Sequence, residues 1–201
     1  MTLTLPPGDF KAYLFDCDGT IVDSMPLHYI AWKEALAEYG VTDFSEELFY
    51  ALGGLPVAAV VRQLSERDGL VIPVDAFADR KESLYYNLIH QLKAVPEVLE
   101  EIHRTHGTIP FAVVSGSTRE SVERSLNALG ILHLFDTLVC AGDYTHGKPD
   151  PEPFLLAARR LNVPPSSCLV FEDADAGIQA AEAAGMATVR ILQPWERPTP
   201  A

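Results

Sequence analysis

The sequence predicts an α/β fold: a doubly wound parallel sheet with a helical insert after its first strand. Three observations lead there. Short apolar runs of strand length alternate with segments of helical period. Polar clusters follow directly on several of those runs, and residues 24–94 carry helical periods with no convincing strand.

Taken in order, Tyr13 to Phe15 reads as the first buried strand. The insert then shows helical periods over Leu27 to Tyr39, Val57 to Arg67 and a run from Asp75 through Leu92, interrupted by Gly53, Gly54 and Pro56 and again by Gly69 and Pro73. Pro96 opens a helix carrying Val98, Leu99 and Ile102, and Phe111 to Val114 is the second strand. Ser117 with Glu120 has the spacing of a capping box for the helix that stops before Gly130. Leu138 to Ala141, Leu169 to Phe171 and Ala187 to Leu192 are further strands, separated by helices over Pro153 to Leu161 and Gly177 to Ala184. Strand and helix alternating through short connections imply a parallel sheet covered on both faces. The domain boundaries expected are a core of residues 1–23 and 95–201 and a helical domain of residues 24–94.

Composition removes several classes of function. With 28 acidic against 15 basic residues and a net charge of −13, the chain lacks the basic footprint of a nucleic-acid binder. No apolar stretch approaches membrane-spanning length, and MTLTLPPGDFK lacks the pattern of a signal peptide, so a cytoplasmic protein with neither nucleic-acid nor membrane partner is expected. Cys17, Cys140 and Cys168, an odd number without metal-ligand spacing, suit reduced thiols in apolar strands. The oligomeric state is left open and is compatible with a monomer.

The chemistry collects at strand ends. Asp16, Asp18, Gly19 and Thr20 follow the first strand, Ser115, Gly116 and Ser117 the second, and Glu172, Asp173 and Asp175 a later one. Open parallel sheets bind ligands at the carboxyl ends of their strands, so these clusters should converge. Asp16 and Asp18 fall on the same side of an extended chain, with Cys17 facing the core, and carboxylates gathered in this way repel unless a cation or a shared proton relieves them. An all-oxygen set favours Mg²⁺ over Zn²⁺. Lys148 and Ser115 could neutralise a phosphoryl group from other sides, and a carboxylate can attack phosphorus to give an aspartyl phosphate while a second one handles the protons. Each motif alone has a plainer reading. Asp-Gly is mostly turn chemistry, Ser115-Gly116-Ser117 a helix start, Lys148 a solvated loop lysine, and Glu172 and Asp173 partners of a helix dipole.

The four together, FDCDGTIVDS, VVSGS, GKPDPEPF and VFEDADAGIQAA, resemble in order and spacing the motifs of the haloacid dehalogenase (HAD) superfamily of phosphohydrolases, over residues 11–192. The resemblance implies a Rossmann-like core with a C1-type cap. It is strongest to the beta-phosphoglucomutase-like branch, especially bacterial phosphatases of fructose 1-phosphate and related sugar phosphates. It implies a small-molecule phosphate monoester as substrate, Asp16 as nucleophile, Asp18 as acid/base and Ser115 and Lys148 as phosphoryl clamps. Mg²⁺ would be held by Asp16, the Asp18 carbonyl and Asp173, with Glu172 helping through water. His28, Gly54, Lys81, Gly116, Ser117 and Arg119 fall where the branch contacts substrate. Two positions depart from the mutase pattern: Val57 stands where a phosphate-gripping arginine is found, and Thr118 where a lysine is, with Arg119 adjacent. These departures favour hydrolysis over the alternative of a phosphomutase, and the intact aspartates count against a non-catalytic phosphate-binding module.

Overall fold

The alternation of strand and helix is realised, in a computed structural model that describes residues 3–52, 55–192 and 196, as a five-stranded parallel sheet. The strands are β1 (Ala12–Phe15), β2 (Phe111–Thr118), β3 (Thr137–Ala141), β4 (Cys168–Glu172) and β5 (Ala187–Arg190), in the spatial order β3-β2-β1-β4-β5. The helices are α1 (Met25–Ala37), α2 (Glu46–Ala51), α3 (Val57–Asp68), α4 (Val74–Leu88), α5 (Pro96–Thr105), α6 (Arg119–Ala128), α7 (Glu152–Leu161) and α8 (Asp175–Ala183). The chain divides into two compact units, Met1–Asp23 with Leu92–Ala201, and Ser24–Gln91. No helix among the described residues is long and apolar enough to cross a membrane.

Period-two alternation sorts the strand residues onto two cores. Tyr13, Phe15, Phe111, Val113, Leu138, Leu169 and Phe171 face one side, where they meet Val98 and Ile102 of α5 and Val122 and Leu126 of α6. Their rings pack in preferred geometries: Phe15 and Phe171 stack at 4.5 Å, and Phe111 meets Phe15 edge-on at 5.5 Å. Ala12, Leu14, Ala112, Val114, Val139, Cys168 and Val170 face the other side. There α7 and α8 present Phe154 and the small residues Ala157, Ala158, Ala180 and Ala181, which let helix and sheet backbones approach closely. Cys17, Cys140 and Cys168 are free, buried thiols, and burial raises all three above the usual cysteine range.

The helical unit has its own core. Leu27, Ala31, Trp32, Ala35 and Leu36 of α1 and Phe77, Leu84 and Tyr85 of α4 are buried, and Trp32 lies 5.0 Å from Phe77. Its chain leaves and returns through paired backbone: Asp23 N–H donates to the Lys93 carbonyl at 2.8 Å, Val95 N–H to Ile21 at 2.9 Å, and Val22 bridges Ala94 antiparallel.

Local signals explain most of the boundaries. Gly69 closes α3 in the left-handed region, and Asn162 does the same for α7. Two elements differ from expectation. The sequence pattern does not reveal α2, because six residues are too few to display a period; its start rests on Ser45, whose hydroxyl accepts the Leu48 N–H at 3.2 Å. The N-cap of α6 is Thr118, accepting from Ser121 N–H at 3.3 Å, and not Ser117. The reason is that β2 runs on through a register shift to Thr118, so Gly116 and Ser117 are strand and not helix start.

Core and exposed positions should differ in their sensitivity to truncation. Phe111→Ala, in the aromatic face, should lower stability by ~3–5 kcal/mol in urea denaturation. Val71→Ala, at a side chain 91% exposed, should change it by less than ~0.5 kcal/mol. Comparable losses for both would overturn this assignment of the core.

Candidate active site

The sheet order places the carboxyl end of β1 between those of β2 and β4. Asp16 extends the ladder one residue past β1, its N–H donating to the Phe171 carbonyl at 2.9 Å. The chain then folds back on itself. Ile21 and Val22 N–H donate to the Cys17 carbonyl and Gly19 N–H to Val22, a turn that holds residue 19 at φ +90° and therefore favours glycine. This turn sends Thr20 to Asp173, hydroxyl to carboxylate at 2.9 Å, while Asp18 Oδ2 accepts the Ser117 hydroxyl at 2.8 Å.

Lys148 enters from the loop between β3 and α7. Its half-buried ammonium donates to Asp16 Oδ1 at 2.6 Å, Glu172 Oε2 at 2.7 Å and the Val114 carbonyl at 2.9 Å. An ammonium has three N–H groups, and these acceptors use all three. The ring of Phe154 lies beneath it, its centroid 5.2 Å away. On the other side Glu172 Oε1 accepts the N–H groups of Asp173 and Ala174, at 3.1 and 3.0 Å, at the start of α8.

Among the described residues, Asp16, Glu172 and Asp173 each offer a carboxylate oxygen within 4.8 Å of the others. Burial first, then the neighbouring charge of Glu172, holds the Asp16 carboxyl well above its ordinary range. The same two causes push Asp173 up to about 7, with the Thr20 hydroxyl opposing. Burial alone would lower the Lys148 ammonium, but Asp16 and Glu172 overcome it and raise its pKa. This crowded all-oxygen donor set fits a hard divalent cation, which would relieve the repulsion among its members. The Asp18 carboxylate is not in that group, being directed to Ser117.

The remaining expected residues divide. Ser115 is buried beside the cluster, and its Oγ accepts the Ser117 N–H at 3.0 Å. Gly116 is exposed, and a Cβ there would meet nothing described within 4 Å. Arg119 is turned away toward the sheet edge, where its guanidinium donates to Asp143 Oδ2 at 2.7 Å and the Leu138 carbonyl at 3.1 Å. Beginning α6 one residue after Thr118 commits it to β3 rather than to the strand-end cluster. His28 and Lys81 belong to the helical unit. His28 stacks on Tyr85 at 4.0 Å, and Lys81, buried on α4, pairs with Glu82 at 2.7 Å. Gly54 lies outside the described residues.

Sequence reasoning missed one residue on which the cluster leans. A Cβ on Gly177 would stand 1.9 Å from Glu172 Oε2 and 2.0 Å from its Cδ, so the Glu172 side chain lies directly over this helix position. The available signal was a glycine inside a helix, where it is disfavoured, five residues after a strand-end glutamate. Gly177→Ala would gain roughly 1 kcal/mol from helix propensity alone. Overpacking against Glu172 should reverse the sign, giving a net loss of ~1–3 kcal/mol in chemical denaturation. A stabilised variant would contradict this packing role.

Comparison with known proteins agrees with this geometry. A family model described as haloacid dehalogenase-like hydrolase matches residues 13–191. The chain is 38% identical over 183 residues to the fructose-1-phosphate phosphatase YqaB of Escherichia coli (strain K12), covering 90% of this chain and 96% of that protein. It is 32% identical to a phosphorylated carbohydrates phosphatase of Thermotoga maritima, over 88% of this chain and 82% of the relative. Among solved structures, a beta-phosphoglucomutase from Clostridium difficile superposes with a TM-score of 0.80 at 28% identity, over 93% of this chain and 86% of the other. With its four motifs, its parallel sheet and these matches across most of its length, the chain belongs to the haloacid dehalogenase-like hydrolase family.

Proposed function

We propose that the protein is a Mg²⁺-dependent phosphatase of small phosphate monoesters, chiefly sugar phosphates such as fructose 1-phosphate, working through a phosphorylated Asp16. The observation that carries this reading is Lys148 held at 2.6 Å from Asp16 and 2.7 Å from Glu172, beside Asp173. That arrangement brings together a carboxylate suited to attack phosphorus, a fixed cation and a donor set suited to a metal. The names of the relatives support the substrate class, one acting on fructose 1-phosphate and one on phosphorylated carbohydrates.

In the first step an Asp16 oxygen attacks phosphorus, and the bond from phosphorus to the ester oxygen breaks. Asp18 gives its proton to the leaving alkoxide, and Ser117, bonded to Asp18 at 2.8 Å, orients that carboxyl group. In the second step Asp18 takes a proton from water, whose oxygen attacks the aspartyl phosphate; inorganic phosphate leaves and Asp16 is regenerated. Lys148 and the Ser115 hydroxyl hold the phosphoryl oxygens throughout. Asp16 and Asp173, with the Asp18 carbonyl and Glu172 through water, would hold Mg²⁺, which when bound neutralises phosphoryl charge. Residues 24–94 are proposed to form a cap, hinged near Met25 and Val95, that excludes water and selects the sugar. Two positions favour hydrolysis over mutase chemistry. Val57, at the start of α3, is apolar, and the Thr118 hydroxyl is engaged in capping α6.

The test is phosphate release from fructose 1-phosphate, glucose 6-phosphate, both glucose 1-phosphate anomers, 6-phosphogluconate, sorbitol 6-phosphate and phosphoglycolate. Release is expected with Mg²⁺, absent with EDTA, and abolished in Asp16→Asn. Release that survives either treatment overturns the mechanism, and none from any ester overturns the substrate class. Isomerisation of beta-glucose 1-phosphate with a bisphosphate primer would instead favour a mutase. A second variant, Asp18→Asn, should lose ~10²–10⁴-fold in kcat in steady-state assays. A loss below about tenfold would remove Asp18 from the acid/base role.

A further inference from the structure

The segment between β3 and α7 that delivers Lys148 is pinned on three sides. Asp143 Oδ2 accepts the Cys140 N–H at 3.1 Å, which fastens the segment to β3. Glu152 accepts the N–H groups of Thr145 and His146, both at 2.9 Å, which fastens it to α7. Two side chains then cross to the middle of β2 and bond to consecutive carbonyls. Lys148 Nζ donates to Val114 at 2.9 Å, and Tyr144 Oη donates to Ser115 at 3.1 Å. The Tyr144 ring packs partly buried against the small-residue core and lies 3.4 Å from where a Cβ on Gly147 would stand.

The two crossings are not equivalent. All three Lys148 N–H groups are taken, two by carboxylates and one by the neutral Val114 carbonyl. A phosphoryl oxygen that enters the cluster must displace one acceptor, and the uncharged one is held least strongly. Once that bond is given up, Tyr144 is the crossing that still ties the Lys148 segment to β2.

We propose that Tyr144 is a positioning residue whose hydroxyl, bonded to the Ser115 carbonyl, sets the spacing between the two phosphoryl-gripping side chains, Ser115 and Lys148. The inference rests on the phosphatase reading, in which both residues hold the transferring group. Tyr144 touches neither substrate nor reacting atoms; it acts through the two segments it joins.

The experiment compares the unaltered protein, Tyr144→Phe, and a variant carrying p-aminophenylalanine at 144, which restores a donor on the same ring. Each is assayed for Mg²⁺-dependent phosphate release from the ester the unaltered protein hydrolyses fastest, and for its thermal midpoint. Tyr144→Phe should lower kcat about fivefold, the worth of one net hydrogen bond, with KM changed less than about twofold. The p-amino variant should return kcat to within about twofold of the unaltered protein. An unchanged kcat in Tyr144→Phe overturns the inference. So does a lowered thermal midpoint with unchanged kcat per folded molecule, or a loss that the restored donor does not rescue. If the unaltered protein releases no phosphate from any ester, the phosphatase reading falls and takes this inference with it, an outcome distinct from a normal enzyme with an indifferent Tyr144.

Discussion

The bond network of one half-buried ammonium is the constraint around which this molecule is arranged. Asp16 and Glu172 lie at the ends of adjacent strands and would repel each other by about 4 kcal/mol at 4 Å in a medium of intermediate polarity. Lys148 sits between them at 2.6 and 2.7 Å and turns that repulsion into two charge-assisted hydrogen bonds. A buried pair of this kind is a weak source of net stability, because desolvation offsets much of the attraction. Its value is geometric, since acceptors from β2, from β4 and from the residue after β1 fix the ammonium at one point.

The rest of the core makes such a point possible. The order β3-β2-β1-β4-β5 puts β1 in the middle, so Asp16 is flanked by the ends of β2 and β4, where the direction of chain winding reverses. The aromatic face and the small-residue face hold the strands in register, Phe15 beside Phe171 and Val113. At the sheet edge, Arg119 and Arg160 both donate to the Leu138 carbonyl of β3, covering part of a strand that would otherwise be open to pairing.

Much of this was legible in the sequence because the relevant signals are local. Buried strands in a parallel sheet are short apolar runs, and the polar residues after Phe15 and Phe171 fall at the ends of β1 and β4, whereas β2 runs on past Val114 to Thr118. The proposed chemistry rests on those ends plus four motifs in order. What could not be read depends on contacts across the fold. Arg119 sits beside a phosphate-site motif in sequence, yet its side chain is claimed by Asp143 and Leu138, a competition that spacing does not reveal. The shift of the α6 cap from Ser117 to Thr118 depends on how far β2 pairs with β3. Gly177 is meaningful only once the Glu172 side chain is seen lying over it, and α2 is too short to carry a period.

The root of the helical unit carries a consequence of a different kind. The chain departs at Asp23 and is already paired again at Lys93 and Ala94, so both ends of a long excursion are anchored about 5 Å apart in backbone alone. Closing a loop on such a stem becomes only about 0.6 kcal/mol harder for each doubling of its length. The stem itself therefore tolerates a change in the length of the chain between those two points at little cost in closure entropy.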